Sequence, residues 1–347
     1  MPAYRLSGPG IPALLAVDHE KPDITIHDGG KRRSCPTQPE VMAIGSVVIS
    51  LDAELGWGFH DLPSVPRQRV ERARWGWRRS QSLLERYEIP ATWAIVGHLF
   101  LESCDGEHAD HPTPPGWFDR ERTEWRDRPD LRFAPELIRS LIDDPVDHEI
   151  ASHSFSHVLF GDESTTKAMA DAECRRASAI AESWGLDLTS FVFPRNEVGH
   201  RGALADHGFS IYRSRSPFRA GAPNVLSELA RDRSLLVAPS VDDNGLIDLP
   251  ASMFAFGFEG TLRQLAETVG DDPMVILAKR GIDQAVTDDG IFHLWWHPNN
   301  LTTDADAERI RRILEHVDRR RESDGLTVET MAQVASSMRV LERARSK

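Results

Sequence analysis

From Ser46 onward, short apolar runs alternate with longer segments of helical period, the pattern of parallel strands joined by helical crossovers. The strand candidates are Ser46–Leu51, Ala91–Val96, His148–Ser152, Ser190–Phe193, Phe209–Tyr212, Leu246–Leu249 and Ile291–Trp296. Helical stretches lie between them near Arg67–Tyr87, Pro135–Ile142, Thr165–Trp184, Val198–His207, Leu262–Lys279 and Asp304–Arg321. Seven such units predict an α/β fold, a closed or nearly closed (β/α) barrel rather than an open sheet, and 347 residues suit that as one unit.

Residues 1 to 40 are rich in Pro, Gly and charge without periodicity and are expected to form an irregular arm; residues 41 to 340 then form the single barrel. Residues 101 to 132 are too long for a routine connection and read as an insertion, either a lid or substrate loop or a plain surface excursion. Its His108 and His111 make a weak second metal pair.

Composition excludes some partners. A formal net charge of −13 argues against a nucleic acid held on a basic footprint, and the arginines between Arg67 and Arg79 read as a solvated helix face. No stretch approaches a membrane span, and the start Met1-Pro2-Ala3-Tyr4 lacks a basic segment leading into a long apolar run, so a cytoplasmic protein is expected. Cys35, Cys104 and Cys174 are widely spaced, which suggests neither a disulfide framework nor a thiolate zinc site.

Barrel sites gather at the C-terminal ends of strands, so the polar residues there are the candidates. After the third strand comes His153-Ser154-Phe155-Ser156-His157. Two imidazoles four residues apart can lie on one face of a helical turn and share a divalent metal, although two ordinary surface histidines would give the same spacing. The first strand runs into Asp52-Ala53-Glu54, a costly pair to bury unless paired or metal-bound, with a turn or helix cap as the plain alternative. Arg195 ends the fourth strand, where a guanidinium could hold a carboxylate on two oxygens. The last strand ends in His297 before a proline, while alternation puts His293 deeper, as a hydrogen-bonded core histidine. All six rim residues (Asp52, Glu54, His153, His157, Arg195 and His297) are more economically explained by one site than by six separate accidents.

These residues resemble the motifs of the polysaccharide deacetylases, the NodB-homology or family 4 carbohydrate esterase group. Ser50-Leu51-Asp52-Ala53-Glu54 is similar to the first motif, His153-Ser154-Phe155-Ser156-His157 to the H-[ST]-x-x-H second motif, and Phe193-Pro194-Arg195-Asn196 to the arginine motif. Ile247-Asp248-Leu249-Pro250 resembles the fourth segment, Leu294-Trp295-Trp296-His297-Pro298 the last motif, and Thr327 to Met338 the closing element. The resemblance spans roughly residues 46 to 335 and implies a distorted (β/α)7 barrel. Many relatives carry adjacent aspartates in the first motif; here Ala53 stands in the second position, and Asp52-x-Glu54 fits a variant with the carboxylates one residue apart.

Carried over residue by residue, the resemblance implies that Glu54, His153 and His157 bind one divalent metal, that Asp52 is the base and that His297 is the acid. Arg195 would orient Asp52, and Asp248 would orient His297. Zinc is expected from the histidine ligands, although Co2+, Ni2+, Fe2+ and Mn2+ suit the same donors. The implied activity is removal of an N-acyl group, an acetyl, from a sugar or glycan precursor. Two other readings stay open: an amidohydrolase acting on a non-sugar or cyclic amide, and a non-catalytic carbohydrate-binding barrel in which Ala53 marks a lost metal site.

Overall fold

The computed structural model describes residues 45–217, 222–231, 233–259, 263 and 271–345. The expected arm, residues 1 to 40, lies outside them, and the described residues cluster as one compact unit. The strands are β1 (Ser46–Ala53), β2 (Thr92–Ile95), β3 (Glu149–Ser152), β4 (Ser190–Val192), β5 (Ile211–Ser214), β6 (Ser240–Val241), β7 (Ile247–Pro250), β8 (Met253–Phe254), β9 (Ile291–Trp296) and β10 (Thr327–Glu329). The described helices are α1 (Arg67–Arg86), α2 (Asp119–Arg122), α3 (Pro129–Arg132), α4 (Pro135–Ile142), α5 (Lys167–Glu182), α6 (Arg201–Asp206), α7 (Ala222–Ala230), α8 (Pro273–Asp288), α9 (Asp304–Asp324) and α10 (Met331–Arg345).

The strands form one curled sheet in the order β6-β7-β5-β4-β3-β2-β1-β9-β8, with β10 also paired to β1. Pairing is parallel throughout except for the short β6 against β7. The segment from Ile247 to Phe254 carries the sheet round: β7 pairs with β5, and three residues later β8 pairs with β9. This is the distorted (β/α)7 barrel expected from the sequence.

Strand alternation sorts the core into two faces. On β1, Val47, Ile49, Leu51 and Ala53 point outward and pack with Trp77 of α1 and Ile310 and Leu314 of α9. Val48 points inward, where it joins Ala94, Ala151, Val192, Ile211 and Ile247, and Met331 and Val334 of α10 close that end. Ser50, Asp52 and Glu54 continue the inward row toward the opposite end. All eight residues of β1 are buried, as a strand covered on both faces requires.

Three sequence expectations shift. The fifth strand runs 211–214 rather than 209–212, so it includes Arg213. Of the helix expected at 262–279, residues 262 and 264–270 lie outside the described residues, and the described helix α8 is Pro273–Asp288. It starts where Asp272 accepts the Met274 N–H at 2.9 Å and Pro273 presets the first turn. The 101–132 insertion is no plain surface excursion: it folds into α2 and α3 and buries His108, His111, Phe118, Glu121 and Trp125.

Two glycines permit close approaches around the rim. A Cβ on Gly76 of α1 would sit 1.9 Å from the Pro298 carbonyl oxygen, so the helix can lie against the turn after β9 because that position carries no side chain. Gly58 does the same beside Glu54.

Candidate active site

Glu54 is 5% exposed, follows β1, and has its carboxylate enclosed from several sides. Its Oε2 lies 3.1 Å from His157 Nε2 and 3.5 Å from His153 Nε2, and its Oε1 accepts from Asn299 Nδ2 at 2.9 Å. A Cβ on Gly58 would fall 2.0 Å from Oε1, so Gly58 leaves the carboxylate its room. Burial raises the Glu54 carboxyl pKa, but His297, His153 and His157 outweigh it and hold the group well below the usual carboxylate range.

His153 and His157 lie in a loop, not on a helical turn as their spacing suggested. Ser154 and His157 take positive φ values of 61° and 65°, and the Ser154 hydroxyl accepts the His157 N–H at 2.9 Å. Leu55, Arg195 and Asn196 also have positive φ, which concentrates uncommon backbone conformations in the loops of this rim.

The donor atoms of Glu54, His153 and His157 lie within 4.8 Å of one another, and all three residues are buried. His153 Nδ1 donates to the Val192 carbonyl at 2.8 Å, which leaves Nε2 as the ring nitrogen turned to the site, and that atom makes no hydrogen bond among the described residues. Such a buried orphan, facing a carboxylate and a second imidazole, fits a divalent cation.

Asp52 is 1% exposed and is gripped by Arg213 of β5: Nη1 donates to Oδ1 and Nη2 to Oδ2, each at 2.7 Å. Arg213 Nη1 also donates to Ser50 Oγ at 2.9 Å, and its Nη2 to Asn196 Oδ1 at 3.0 Å. The guanidinium carbon sits 4.3 Å from the centroid of the Trp295 ring. Burial works to raise the Asp52 carboxyl, and Arg213, with His153 and His297, overrules it, so the carboxyl is held below its ordinary value.

His297 Nε2 lies 3.7 Å from Asp52 Oδ2 and 3.8 Å from Glu54 Oε1, while its Nδ1 faces Asn300 Oδ1 at 3.1 Å. His293 is fully buried beneath, with Nε2 2.8 Å from Ser50 Oγ and Nδ1 3.1 Å from the Pro250 carbonyl. Burial, followed by the Arg213 charge, pushes His293 down to about 3. It is a neutral core histidine, as its depth suggested.

Five of the sequence candidates therefore converge: Asp52, Glu54, His153, His157 and His297. Two do not. Arg195 points away to Asp61, and Arg213 occupies the position against Asp52 that Arg195 was expected to fill. Asp248 faces Tyr212 and Ser214 on β5, while Asn300 meets the far nitrogen of His297. Besides Arg213, the residues missed were Asn299, Asn300, Gly58 and Asn196. Asn299 and Asn300 adjoin the His297-Pro298 pair, and that adjacency was a usable signal.

Beside the site runs a cleft of about 490 Å3 lined by His60, Asp61, Pro114, Trp117 and neighbours. The His60 ring meets the His157 ring edge-on with centroids 6.1 Å apart, and Trp117 meets His60 at 4.5 Å. Trp117 Nε1 donates to the Ser156 carbonyl at 2.9 Å, which ties the insertion to the histidine loop.

Residues 74–210 match the polysaccharide deacetylase family, so the resemblance expected from the motifs is found. That stretch includes His153, His157 and Arg195; Asp52, Glu54, Arg213 and His297 lie outside it. A Mycobacterium smegmatis protein named as a polysaccharide deacetylase shares the fold, with 18% identity and a TM-score of 0.56 over 88% of this chain and 93% of that one. A family 4 carbohydrate esterase from Streptomyces lividans, solved with acetate, is 16% identical with a TM-score of 0.38 over 80% and 89%. A family 4 pseudoenzyme from Bacillus anthracis is 10% identical with a TM-score of 0.38 over 84% and 66%. The first of the three is similar enough to bear on the fold. No curated protein sequence matches the chain.

Proposed function

We propose that the protein is a metal-dependent hydrolase that removes an N-acyl group, an acetyl, from a sugar or glycan precursor. The observation that carries the reading is the buried convergence of Glu54, His153 and His157 with Asp52 and His297 facing them. Glu54 Oε2, His153 Nε2 and His157 Nε2 would hold one divalent ion, with zinc the first choice for this donor set. When bound, that ion supplies a Lewis acid that polarises the amide carbonyl and acidifies water.

The remaining chemistry belongs to the side chains. Asp52, kept ionised by Arg213, accepts the proton of the attacking water. His297 Nε2 gives a proton to the departing nitrogen, a step the reaction needs because an amide anion is a very poor leaving group. The Asn300 amide fixes the His297 ring through Nδ1, which keeps Nε2 turned toward Asp52 and Glu54. Arg213 is the positioning residue for Asp52, in place of Arg195. The cleft at His60 and Trp117 is an apt place for a sugar ring, since an aromatic face with polar neighbours suits a carbohydrate.

The described residues contain no helix long and apolar enough to cross a membrane. The proposal keeps a cytoplasmic location and an intracellular glycan precursor, an expectation that cell fractionation checks. Acetate release from N-acetylhexosamine compounds tests the activity. Turnover of these compounds supports the reading; turnover of cyclic ureides alone would replace it with an amidohydrolase.

A further inference from the structure

A second set of donor atoms converges where the insertion meets the barrel. His98 sits in the turn after β2, Cys104 and His108 in the loop that follows, and Glu121 on α2; their donor atoms all lie within 4.8 Å of one another. His98 Nε2 is 3.0 Å from Glu121 Oε1, His108 Nε2 is 2.9 Å from Glu121 Oε2, and Cys104 Sγ is 3.5 Å from His108 Nε2. Zinc with bonds of about 2.0–2.3 Å sets neighbouring ligands about 3.3–3.8 Å apart, so small movements would complete a tetrahedron.

The surroundings suit an ion better than they suit a hydrogen-bonded core. His98 is fully buried, its Nδ1 donates to the Arg132 carbonyl at 3.3 Å, and its Nε2 makes no hydrogen bond among the described residues despite facing Glu121. The Gly106 N–H donates to Cys104 Sγ at 3.3 Å, as it would to a thiolate. Arg132 holds both ends of the cluster, donating to Glu121 Oε1 at 2.6 Å and to the Cys104 carbonyl at 2.7 Å. The rings of Trp57, Phe118 and Phe133 enclose the two imidazoles. A thiolate and a carboxylate together offset the charges of the ion and Arg132 to within one unit.

We propose that His98, Cys104, His108 and Glu121 form a second, structural zinc site that fastens the 101–132 insertion to the barrel. Four protein donors would close the coordination shell, which separates this site from the three-donor set at Glu54. The thiolate selects zinc over magnesium or calcium. One consequence is positional: the fastened loop carries Trp117, which reaches Ser156 and His60 beside the first site.

The full-length protein, stripped and reloaded with Co2+, tests this directly. A thiolate-to-cobalt charge-transfer band is expected in the near ultraviolet, kept in Glu54→Ala and lost in Cys104→Ser. Zinc analysis should give one equivalent less in Cys104→Ser and in His108→Ala than in the wild type. Because the band is read on the wild-type chain, a variant that fails to fold does not decide the outcome; Cys35→Ala and Cys174→Ala should leave the band unchanged. No band in the cobalt-loaded wild type, or a band and metal count unaltered by Cys104→Ser, would overturn the proposal. Loss of metal from Glu54→Ala concerns the first site alone, so the two proposals can fail separately.

Discussion

Arg213 on β5 holds both carboxylate oxygens of Asp52 on β1 across the barrel, each at 2.7 Å, and neither side chain has appreciable contact with solvent. A buried ion pair of this kind costs much desolvation, so removing one partner leaves an uncompensated charge.

Arg213→Gln is therefore expected to destabilise the fold by about 3–5 kcal/mol and to abolish most turnover. Arg195→Gln, whose side chain is 34% exposed and paired with Asp61, should change stability by less than about 1 kcal/mol. Thermal melts and acetate release from the two variants check the assignment. Equal effects would return Arg195 to the site.

Asn299 and Gly58 define the room that Glu54 occupies. Asn299→Ala removes the donor to Oε1, and Gly58→Ala puts a methyl where that oxygen lies. Each variant should lower metal affinity about 10–100-fold while leaving the rest of the barrel intact. Competition with a metal indicator measures the affinity, and unchanged affinity in both would mean that Glu54 does not bind the ion.

Glu173 links the insertion to the histidine loop, accepting from His111 Nε2 at 2.6 Å and from the Ser156 N–H at 2.7 Å. Burial raises its carboxyl, but His111 and Ser156 outweigh burial and hold it below the usual range. A lowered folded pKa gives stability that is present above the unfolded value of about 4.3 and is lost as pH falls through the folded value. Wild type should exceed Glu173→Gln in melting temperature at neutral pH, with a margin that shrinks below about pH 4.3. A margin that does not vary with pH would deny the carboxylate this role.

Much of the site was legible because alternation and strand boundaries are local signals. Placing β1, β3 and β9 within about two residues was enough to set Asp52, Glu54, His153, His157 and His297 on one rim. Arg213 was missed through an offset of two residues: Phe209 and Ser210 look strand-like, but the strand begins at Ile211, and so the arginine was left outside it. Its pairing with Asp52 joins positions 161 residues apart, which no spacing rule detects. The same reason hid the second cluster. Cys104 and His108 are close in sequence, but His98 and Glu121 join them only through the path of the insertion.

The central claim is that Glu54 holds an ion while Asp52 moves a proton. Metal content and acetate release, measured together on wild type, Glu54→Ala and Asp52→Asn, test it most directly. Glu54→Ala should lose one equivalent of metal along with turnover, and Asp52→Asn should keep the wild-type metal content while turnover falls to background. Full metal content in Glu54→Ala, or metal loss in Asp52→Asn with Glu54 intact, would contradict the account.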